Sequence, residues 1–236
     1  MTRLVLISDT HNQCPILPEG DILVHAGDHT REGSARETHH AAAYLASQTD
    51  RFRWVVTIGG NHDWFMYHAH AEVMRGFFAP YSDRIVYLEN EFAELEGIKF
   101  WGSPVQPEFC GWAWNEERGE EIRKTWAQIP NDIDVLVTHG PPMGILDWVG
   151  RTHVGCEELR LAIHRAQPKV HVFGHIHGAY GKRGIRYPET VYPGFYKATQ
   201  FYNAAIVSDA YKLDPKHKPW VLDYDGTTFT EVTDAV

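Results

Sequence analysis

The sequence predicts a single α/β domain built around parallel β-sheet, and three observations support this. Short apolar runs alternate with helical patterns along most of the chain, which is typical of parallel sheets with crossover helices. Five apolar runs end in polar clusters, and such ends meet at one edge of a parallel sheet. These clusters extend from residue 9 to residue 177 with no linker between them, so we predict one domain over residues 1–236.

Composition narrows the functional classes. The 236 residues are 43% hydrophobic and 22% charged, which is typical of a globular chain with a sizeable core. The net charge of −9 argues against binding of long nucleic acid, which requires a basic surface. Three widely spaced cysteines fit reduced thiols, and no apolar run is long enough for a membrane span or a secretion signal. We therefore expect a cytoplasmic protein without a membrane partner; the sequence carries no signal for an oligomeric state.

The first third of the chain contains three buried-strand patterns, each followed by a polar cluster. The strands are predicted at Leu4–Ile7, Asp21–Ala26 and Trp54–Ile58, and the clusters that follow them contain Asp9 and His11, Asp28 and His29, and Asn61, His62 and Asp63. One helix is predicted to begin at Ser34, where Glu37 completes a capping box, and to end near Ser47. A second helix is predicted over Trp64–Phe78.

In the middle of the chain, the sequence predicts that a second β-sheet begins. We interpret Ile85–Leu88 and Phe92–Trp101 as two strands of a second sheet. An aromatic loop follows over Pro104–Trp114, and a helix is predicted over Glu116–Gln128, ahead of Pro130. Aromatic side chains in a loop serve packing more often than ligand contact, so the role of this loop stays open.

The last part of the chain supplies two more clusters. Val135–Val137 is a predicted strand that leads into Thr138 and His139, and a helix is predicted over Gly155–Gln167. Val170–Phe173 is a predicted strand that leads into Gly174-His175-Ile176-His177-Gly178, and closing strands are predicted at Phe201–Val207 and Trp220–Tyr224. Two histidines two residues apart between glycines are typical of metal ligands, although in a chain with fifteen histidines the pair alone is a weak signal.

Seven side chains of metal-ligand type follow the predicted strands. They are Asp9, His11, Asp28, Asn61, His139, His175 and His177. This mixture of carboxylate, amide and imidazole suits divalent Mn, Fe, Zn or Co. Seven ligands exceed one tetrahedral site and suit two ions that lie about 3.5–4 Å apart and share a carboxylate. With a bridging hydroxide, such a centre keeps a net positive charge, which favours a phosphate ester.

The clusters Asp-x-His, Gly-Asp, Gly-Asn-His-Asp, Thr-His-Gly and Gly-His-x-His, in this order, resemble the calcineurin-like metallophosphoesterase superfamily. Further motifs, such as Trp101-Gly102-Ser103-Pro104, resemble its branch of metallophosphoesterase-domain-containing phosphodiesterases. The resemblance implies a four-layer αββα sandwich of two mixed sheets with a dinuclear metal site at the strand ends. It assigns one metal to Asp9, His11, Asp28 and His177 and the other to Asp28, Asn61, His139 and His175, with Mn favoured. His62 would act beside the phosphate as an acid or as a stabiliser of the transition state.

The sequence is compatible with three functions. The leading hypothesis is a phosphodiesterase that hydrolyses small phosphodiesters, cyclic nucleotides among them, by in-line attack of a metal-bridging hydroxide. A phosphomonoesterase on the same metals is the alternative, and a non-catalytic scaffold is disfavoured by the full ligand set. For a diester, the loop Phe109–Trp114 would form a wall on which a flat group stacks.

Several other side chains receive weaker predictions. Asp63 is expected to help orient His62, and Arg31, Tyr180 and Asn203 are candidates to border the site. Among the remaining histidines, His25 and His171 are expected to be structural because they lie inside strands, and His29 and His153 are left open.

Overall fold

The computed structural model of the protein describes residues 1–187 and 198–233, in which two six-stranded mixed sheets lie between helices. The strands, in chain order, are β1 (Thr2–Ile7), β2 (Ile22–His25), β3 (Trp54–Thr57), β4 (Ile85–Tyr87), β5 (Glu91–Leu95), β6 (Ile98–Ser103), β7 (Gln106–Pro107), β8 (Asn115–Glu116), β9 (Val135–Thr138), β10 (Trp148–Val149), β11 (Thr152–His153), β12 (Val170–Phe173), β13 (Gly181–Arg186), β14 (Ala198–Asn203), β15 (Trp220–Tyr224) and β16 (Phe229–Glu231). The α-helices are α1 (Ala35–Gln48), α2 (Trp64–Phe78), α3 (Glu120–Trp126) and α4 (Glu157–Ala166).

Each large sheet has a run of parallel strands, with antiparallel pairing at one edge of the first sheet and at both edges of the second. The order in the first sheet is β16-β15-β1-β2-β3-β4, with β1 to β4 parallel. The order in the second sheet is β13-β14-β12-β9-β6-β5, with β14, β12, β9 and β6 parallel. β7 pairs with β8 and β10 pairs with β11 in two short ladders.

Alternating side chains divide the core into an inner and an outer layer. Leu4 and Leu6 of β1 belong to one apolar cluster with Val135 and Val172 of the second sheet, so the two sheets pack face to face. Intervening residues of the same strands, such as Val5, join a cluster that includes residues of all four helices. Burial on both faces explains why these strands are continuously apolar in the sequence. The predicted αββα class is confirmed.

The carboxyl ends of the parallel strands meet at one edge of the sandwich. Ser8, directly after β1, forms a bridge with Ala205, which follows β14 of the other sheet. The Ser8 amide donates to the Ala204 carbonyl at 2.8 Å, and the Ser8 carbonyl accepts from the Ile206 amide at 3.0 Å. The polar clusters of both sheets therefore converge at this edge.

Two predictions for the middle of the chain are wrong. Residues 85–88 were expected in the second sheet, but β4 pairs in parallel with β3, because α2 forms the crossover of a β-α-β unit within the first sheet. Residues 92–101 were expected as one strand. They are divided between β5 and β6 by a tight turn at Glu96 and Gly97, whose φ values are 52° and 75°.

The helices follow the predictions more closely. Ser34 and Glu37 form the predicted capping box of α1, and α2 has the predicted bounds, with a kink at His70 (φ 58°, ψ 169°). α3 begins four residues late because Asn115–Glu116 is a strand instead. Residues 204–207, expected in a closing strand, lie beyond the end of β14. In the described part of the chain, no helix combines the length and apolarity needed to cross a bilayer.

Candidate metal centre

The seven predicted ligands and His62 come together at the shared edge of the two sheets. They follow five strands: β1, β2 and β3 of the first sheet, and β9 and β12 of the second. Apart from the half-buried His175, all of them are buried, and Asp9 and His139 are fully enclosed. Such a concentration of buried polar side chains requires partners, because a buried charge without a counter-charge is costly.

One group of ligands connects the loop after β1 with the loop after β12. The Nε2 atom of His177 lies 3.2 Å from Oδ1 of Asp9 and 3.3 Å from Nε2 of His11. Asp9 also accepts the backbone N–H of His175 at 3.0 Å. Donor atoms of Asp9, His11 and His177 all lie within 4.8 Å of one another, a spacing that a single metal ion could span.

A second group connects the loops after β3, β9 and β12. Oδ1 of Asn61 lies 2.8 Å from Nε2 of His139 and 2.8 Å from Nδ1 of His175. The amide oxygen of Asn61 therefore faces two imidazoles that come from the other sheet. These three side chains supply the oxygen and nitrogen donors that a divalent transition metal prefers.

Asp28 lies between the two groups. Its Oδ2 atom is 3.6 Å from Nε2 of His11 and 3.4 Å from Nε2 of His139, and its Oδ1 atom accepts the backbone N–H of His62 at 2.8 Å. One carboxylate thus faces an imidazole of each group, which is the arrangement expected of a ligand shared by two ions.

Backbone carbonyls orient three of the imidazoles. Nδ1 of His11 donates to the Thr30 carbonyl at 2.9 Å, Nδ1 of His139 to the Ala26 carbonyl at 3.0 Å, and Nδ1 of His177 to the Ser208 carbonyl at 3.2 Å. A hydrogen on Nδ1 leaves the Nε2 lone pair for the centre of the site. Two such nitrogens face each other at 3.3 Å in His11 and His177, and only a cation or a proton between them relieves their repulsion. The donor set therefore fits divalent metal ions.

The backbone at the strand ends adopts strained conformations. Asp9, His11, Asp28 and His175 have φ values of 56°, 42°, 57° and 67°, a region that non-glycine residues rarely occupy. Each such residue costs on the order of 1–3 kcal/mol, so the surrounding structure must hold it in place. The strain lies on four predicted ligands, which turn their side chains away from the course of the strand and into the site.

Glycines allow the loops to approach this closely. A Cβ atom on Gly174 would lie 1.8 Å from Oδ2 of Asp9. A Cβ atom on Gly60 would lie 2.3 Å from Oδ1 of Asp28 and 2.7 Å from Cε1 of His139. Both glycines occur in the motifs that the sequence singles out, and each packs directly against predicted ligands.

His62 is also oriented through Nδ1 by a backbone carbonyl, and with His11 and Asp28 it forms another group whose ligand atoms lie within 4.8 Å of one another. Its Nδ1 atom bonds the Arg31 carbonyl at 2.6 Å, and its ring packs at 4.4 Å from the Trp112 ring and at 4.8 Å from the His11 ring. Asp63 was expected to orient this imidazole, but its carboxylate instead accepts the N–H groups of His29, Thr30 and Gly60 at 2.9–3.1 Å. Asp63 therefore joins the loops after β2 and β3, and the Arg31 carbonyl orients His62.

Burial and charge pairing shift the pKa values of the buried site residues, and for His139 and Asp9 the two effects act in opposite directions. Burial would lower the pKa of His139, but the adjacent Asp28 and Asp9 raise it to about 9. Burial would raise the pKa of Asp9, but the bond from His177 and the charges of the histidines lower it to about 2. Burial and the neighbouring His139 lower the pKa of His175 to about 4. The pairing of carboxylates with imidazoles therefore decides the direction of the pKa shift for Asp9 and His139, and burial together with the charge of His139 decides it for His175.

Two further residues of the site gave no signal in the sequence. Tyr211, at φ 57°, presents its ring to His11, His62 and His177, at centroid distances of 4.8, 5.7 and 5.4 Å. Ser208, on the same loop, supplies the carbonyl that orients His177. This loop follows β14 without a recognisable motif, and only the three-dimensional fold brings it to the site.

A cavity of about 830 Å³ opens directly above the cluster. Asp28, Asn61 and three of the histidines contribute to its floor, and Phe109 and Trp112 of the aromatic loop line its side. Trp114, expected in the same wall, is buried in the core, where its ring packs on Gly59. The wall therefore contains two of the three predicted aromatic residues.

The weaker predictions have mixed outcomes. Asn203 borders the site indirectly, because its amide donates to the Ile176 carbonyl at 2.9 Å. Tyr180 does not border it and instead stacks on His217 and Trp220.

Three of the remaining histidines have structural surroundings. His25 and His171 are buried and hydrogen-bonded to Thr10 and Thr138, as expected of structural histidines, and His29 is stacked on His25. His153 lines the outer part of the cavity. Arg31 contributes its carbonyl, and its guanidinium lies over the Tyr211 ring.

Comparisons with known proteins bear on the family and on the fold. A family model described as calcineurin-like phosphoesterase matches residues 2–179. Metallophosphoesterase domain-containing protein 1 of Homo sapiens is 34% identical over 245 residues, covering 94% of this chain and 71% of that protein. UPF0046 protein C25E10.12 of Caenorhabditis elegans is 34% identical over 242 residues, covering 94% of this chain and 80% of that protein. The solved structure of phosphopantetheinyl hydrolase from Mycobacterium tuberculosis has a TM-score of 0.58 at 16% identity, covering 98% of this chain and 95% of that one.

Proposed function

The chain belongs to the calcineurin-like phosphoesterase family, a family of metal-dependent phosphoesterases, and we propose that within it the protein hydrolyses small phosphodiesters. The observation that carries the proposal is the position of the candidate metal centre at the floor of a cavity of about 830 Å³, far larger than a phosphate group requires. A monoester brings one organic substituent into this space, and a diester brings two. A diester would place its second substituent against Phe109 and Trp112.

We assign the seven ligands to two divalent ions that share one carboxylate. One ion would be held by Asp9, His11, Asp28 and His177, and the other by Asp28, Asn61, His139 and His175. The distances from Oδ2 of Asp28 to His11 and His139 support this division. Ions bound there would supply positive charge to the phosphoryl oxygens and lower the pKa of a water nucleophile. The mixed oxygen and nitrogen donors favour Mn, Fe, Zn or Co, and the family resemblance favours Mn.

His62 is proposed as the proton donor to the leaving oxygen. The Arg31 carbonyl fixes its Nδ1, so the opposite ring nitrogen is the one available to a substrate in the cavity. The ring cannot swing freely, because it is packed between Trp112, His11 and Tyr211. Such positioning removes an orientational cost from the transition state.

The direct test is a comparison of matched esters. The metal-free protein is reloaded with Mn, Fe, Zn or Co and assayed with bis(p-nitrophenyl) phosphate and p-nitrophenyl phosphate. We expect a higher kcat/KM for the diester, and we expect Trp112→Ala to reduce the ratio of the two values. Phe92→Ala is the matched control, because Phe92 is an exposed aromatic residue that does not line the cavity. A higher kcat/KM for the monoester would identify the protein as a phosphomonoesterase.

A further inference from the structure

The walls of the cavity carry a charge opposite to that expected at its floor. Apart from Asp28, four carboxylates line the cavity: Glu108, Glu157, Glu158 and Asp209. Arg118 is the guanidinium among the lining residues, and both of its terminal nitrogens donate to the carbonyls of Val154 and Gly155. His153, the other basic residue of the wall, is paired at 2.7 Å with the buried Asp147. The described residues of the walls are therefore net acidic.

These carboxylates have no cationic partner in the part of the chain that the structure describes. Within residues 1–187 and 198–233, none of the four lies within 4.0 Å of a lysine, arginine or histidine nitrogen. They also come from three separate segments, namely the loop after β7, the start of α4 and the loop after β14. Because their fields add in the partly enclosed space, a negatively charged substituent would be repelled there and a positively charged one attracted.

Two further features of the wall suit a positively charged group. Gln106 lines the cavity, is 2% exposed, and its side-chain oxygen is a buried atom with no hydrogen-bond partner among the described residues. The partial negative charge of this oxygen favours a cation in the cavity over an alkyl group. Phe109 and Trp112 lie on the same side, and aromatic faces attract ammonium groups.

We infer that the outer cavity is a subsite for an alkylammonium substituent, so that the preferred substrates are zwitterionic phosphodiesters with an anionic phosphate and a cationic amine. This inference rests on the proposed function, because it concerns the second substituent of the diester. The phosphate would occupy the floor and the ammonium group would lie among Glu108, Glu157 and Gln106. The cavity is thus complementary to a dipolar ligand at both ends.

The test uses two diesters of the same size and shape. 2-Aminoethyl p-nitrophenyl phosphate and propyl p-nitrophenyl phosphate differ only by an ammonium group in place of a methyl group. In each case water replaces p-nitrophenol at phosphorus, which leaves the 2-aminoethyl or propyl monoester. We expect kcat/KM to be about tenfold higher for the aminoethyl ester, mainly through KM, given several partly exposed carboxylates. Equal values, or a preference for the propyl ester, would overturn the inference.

Glu108 is the position for a discriminating variant. Glu157 and Glu158 lie in the first turn of α4, where they also stabilise the helix, whereas no described hydrogen bond involves the Glu108 side chain. We expect Glu108→Gln to reduce the ratio of the two kcat/KM values by roughly threefold. Glu117→Gln removes an exposed carboxylate that does not line the cavity, so its ratio should equal that of the wild type. An unchanged ratio in Glu108→Gln contradicts the subsite.

A binding measurement separates this inference from the proposed function. Isothermal titration calorimetry of the metal-loaded protein with 2-aminoethyl phosphate and with propyl phosphate compares the two product-like ligands without any turnover. We expect the lower Kd for 2-aminoethyl phosphate, and equal affinities would refute the subsite. Absence of hydrolysis of every phosphodiester, combined with selective binding of 2-aminoethyl phosphate, would overturn the proposed function and leave the subsite standing.

Discussion

At the scale of single residues, His62 and Asp28 lie next to each other but are expected to behave differently. The backbone N–H of His62 donates to Asp28, so the two residues are held in one unit. The His62 imidazole bonds a carbonyl of its own at Arg31, whereas the Asp28 carboxylate faces His11 and His139. Substitution at each position therefore separates proton transfer from metal binding.

His62→Ala should lower kcat by roughly 10²–10⁴-fold, the usual scale for loss of a general acid. Metal content should stay near that of the wild type, because the proposed ligands are intact. Elemental analysis of the purified variant provides the second measurement. Loss of metal together with the imidazole would mean that His62 is itself a ligand.

Asp28→Ala should remove most of the bound metal and the activity together, because one carboxylate is proposed to serve both ions. His175→Ala is the matched comparison, since His175 is assigned to one ion and should cost less metal. Metal per chain is measured by elemental analysis after purification in a fixed metal concentration. Two metals per chain in purified Asp28→Ala would refute the shared-ligand assignment.

At the scale of elements, the loop between β12 and β13 contains two glycines, Gly174 and Gly178, of which only Gly174 has no room for a side chain. A Cβ atom on Gly174 would lie 1.8 Å from Asp9, whereas one on Gly178 would lie 3.4 Å from the Asp209 side chain, an ordinary contact. Gly174→Ala should therefore displace the loop that carries His175 and His177, and Gly178→Ala should not.

We expect Gly174→Ala to lose metal and to unfold at a lower urea concentration, with a destabilisation of roughly 1–3 kcal/mol from overpacking. Gly178→Ala should match the wild type in both respects. Metal analysis and urea titration are made on the two variants in parallel. Equal behaviour of the two would argue against steric closure of the site at Gly174.

Some elements depend on local interactions, which the sequence reveals, and others depend on contacts between distant segments, which it does not. α1 was predictable because Ser34 and Glu37 form a local capping interaction that needs no other part of the chain. β13 could not be predicted, because this exposed edge strand contains glycine, lysine and arginine without an alternation of apolar residues. The pairing of residues 85–87 with β3 depends on a non-local register that no short window contains.

The same distinction applies to the candidate site. Its charged and imidazole side chains occur in short motifs, so Asp9, His11 and the other ligand candidates could be named from the sequence. Their supports are backbone carbonyls of Ala26, Thr30 and Ser208, which leave no mark in residue identity. Tyr211 was missed for a related reason, since its loop is brought to the site only by the packing of the two sheets.

At the scale of the whole molecule, the buried histidines predict how the stability of the metal-free protein depends on pH. The pKa of His139 is raised to about 9, so its protonation stabilises the fold below pH 6.5, and this contribution is lost as the pH rises to 9. Burial lowers the pKa of His171 to about 3 and of His175 to about 4, so their contribution is present above pH 6.5 and is lost as the pH falls toward 4.

The metal-free protein should therefore be most stable near pH 6.5, with a loss on the order of 1–3 kcal/mol toward pH 9. Urea titrations between pH 4 and pH 10 measure this curve. His139→Gln should reduce the loss on the alkaline side without abolishing it, because burial lowers the pKa of His177 but its pairing with Asp9 raises it by more, so His177 keeps a raised pKa in the variant. A stability that increases steadily up to pH 9 would be inconsistent with protonated His139 in the metal-free fold.

The hydrogen bonds from His175 and His177 to Asp9 span 166 and 168 residues of sequence. A ribosome adds about 5–20 residues per second, so on the order of 8–30 s pass between the synthesis of Asp9 and the synthesis of these two histidines. Throughout that interval the nascent chain has the carboxylate but not the histidines that complete its surroundings. Under the proposed assignment, the full set of ligands exists only after residue 177 has been synthesised, and any cation captured earlier by the amino-terminal loops would be held by an incomplete set.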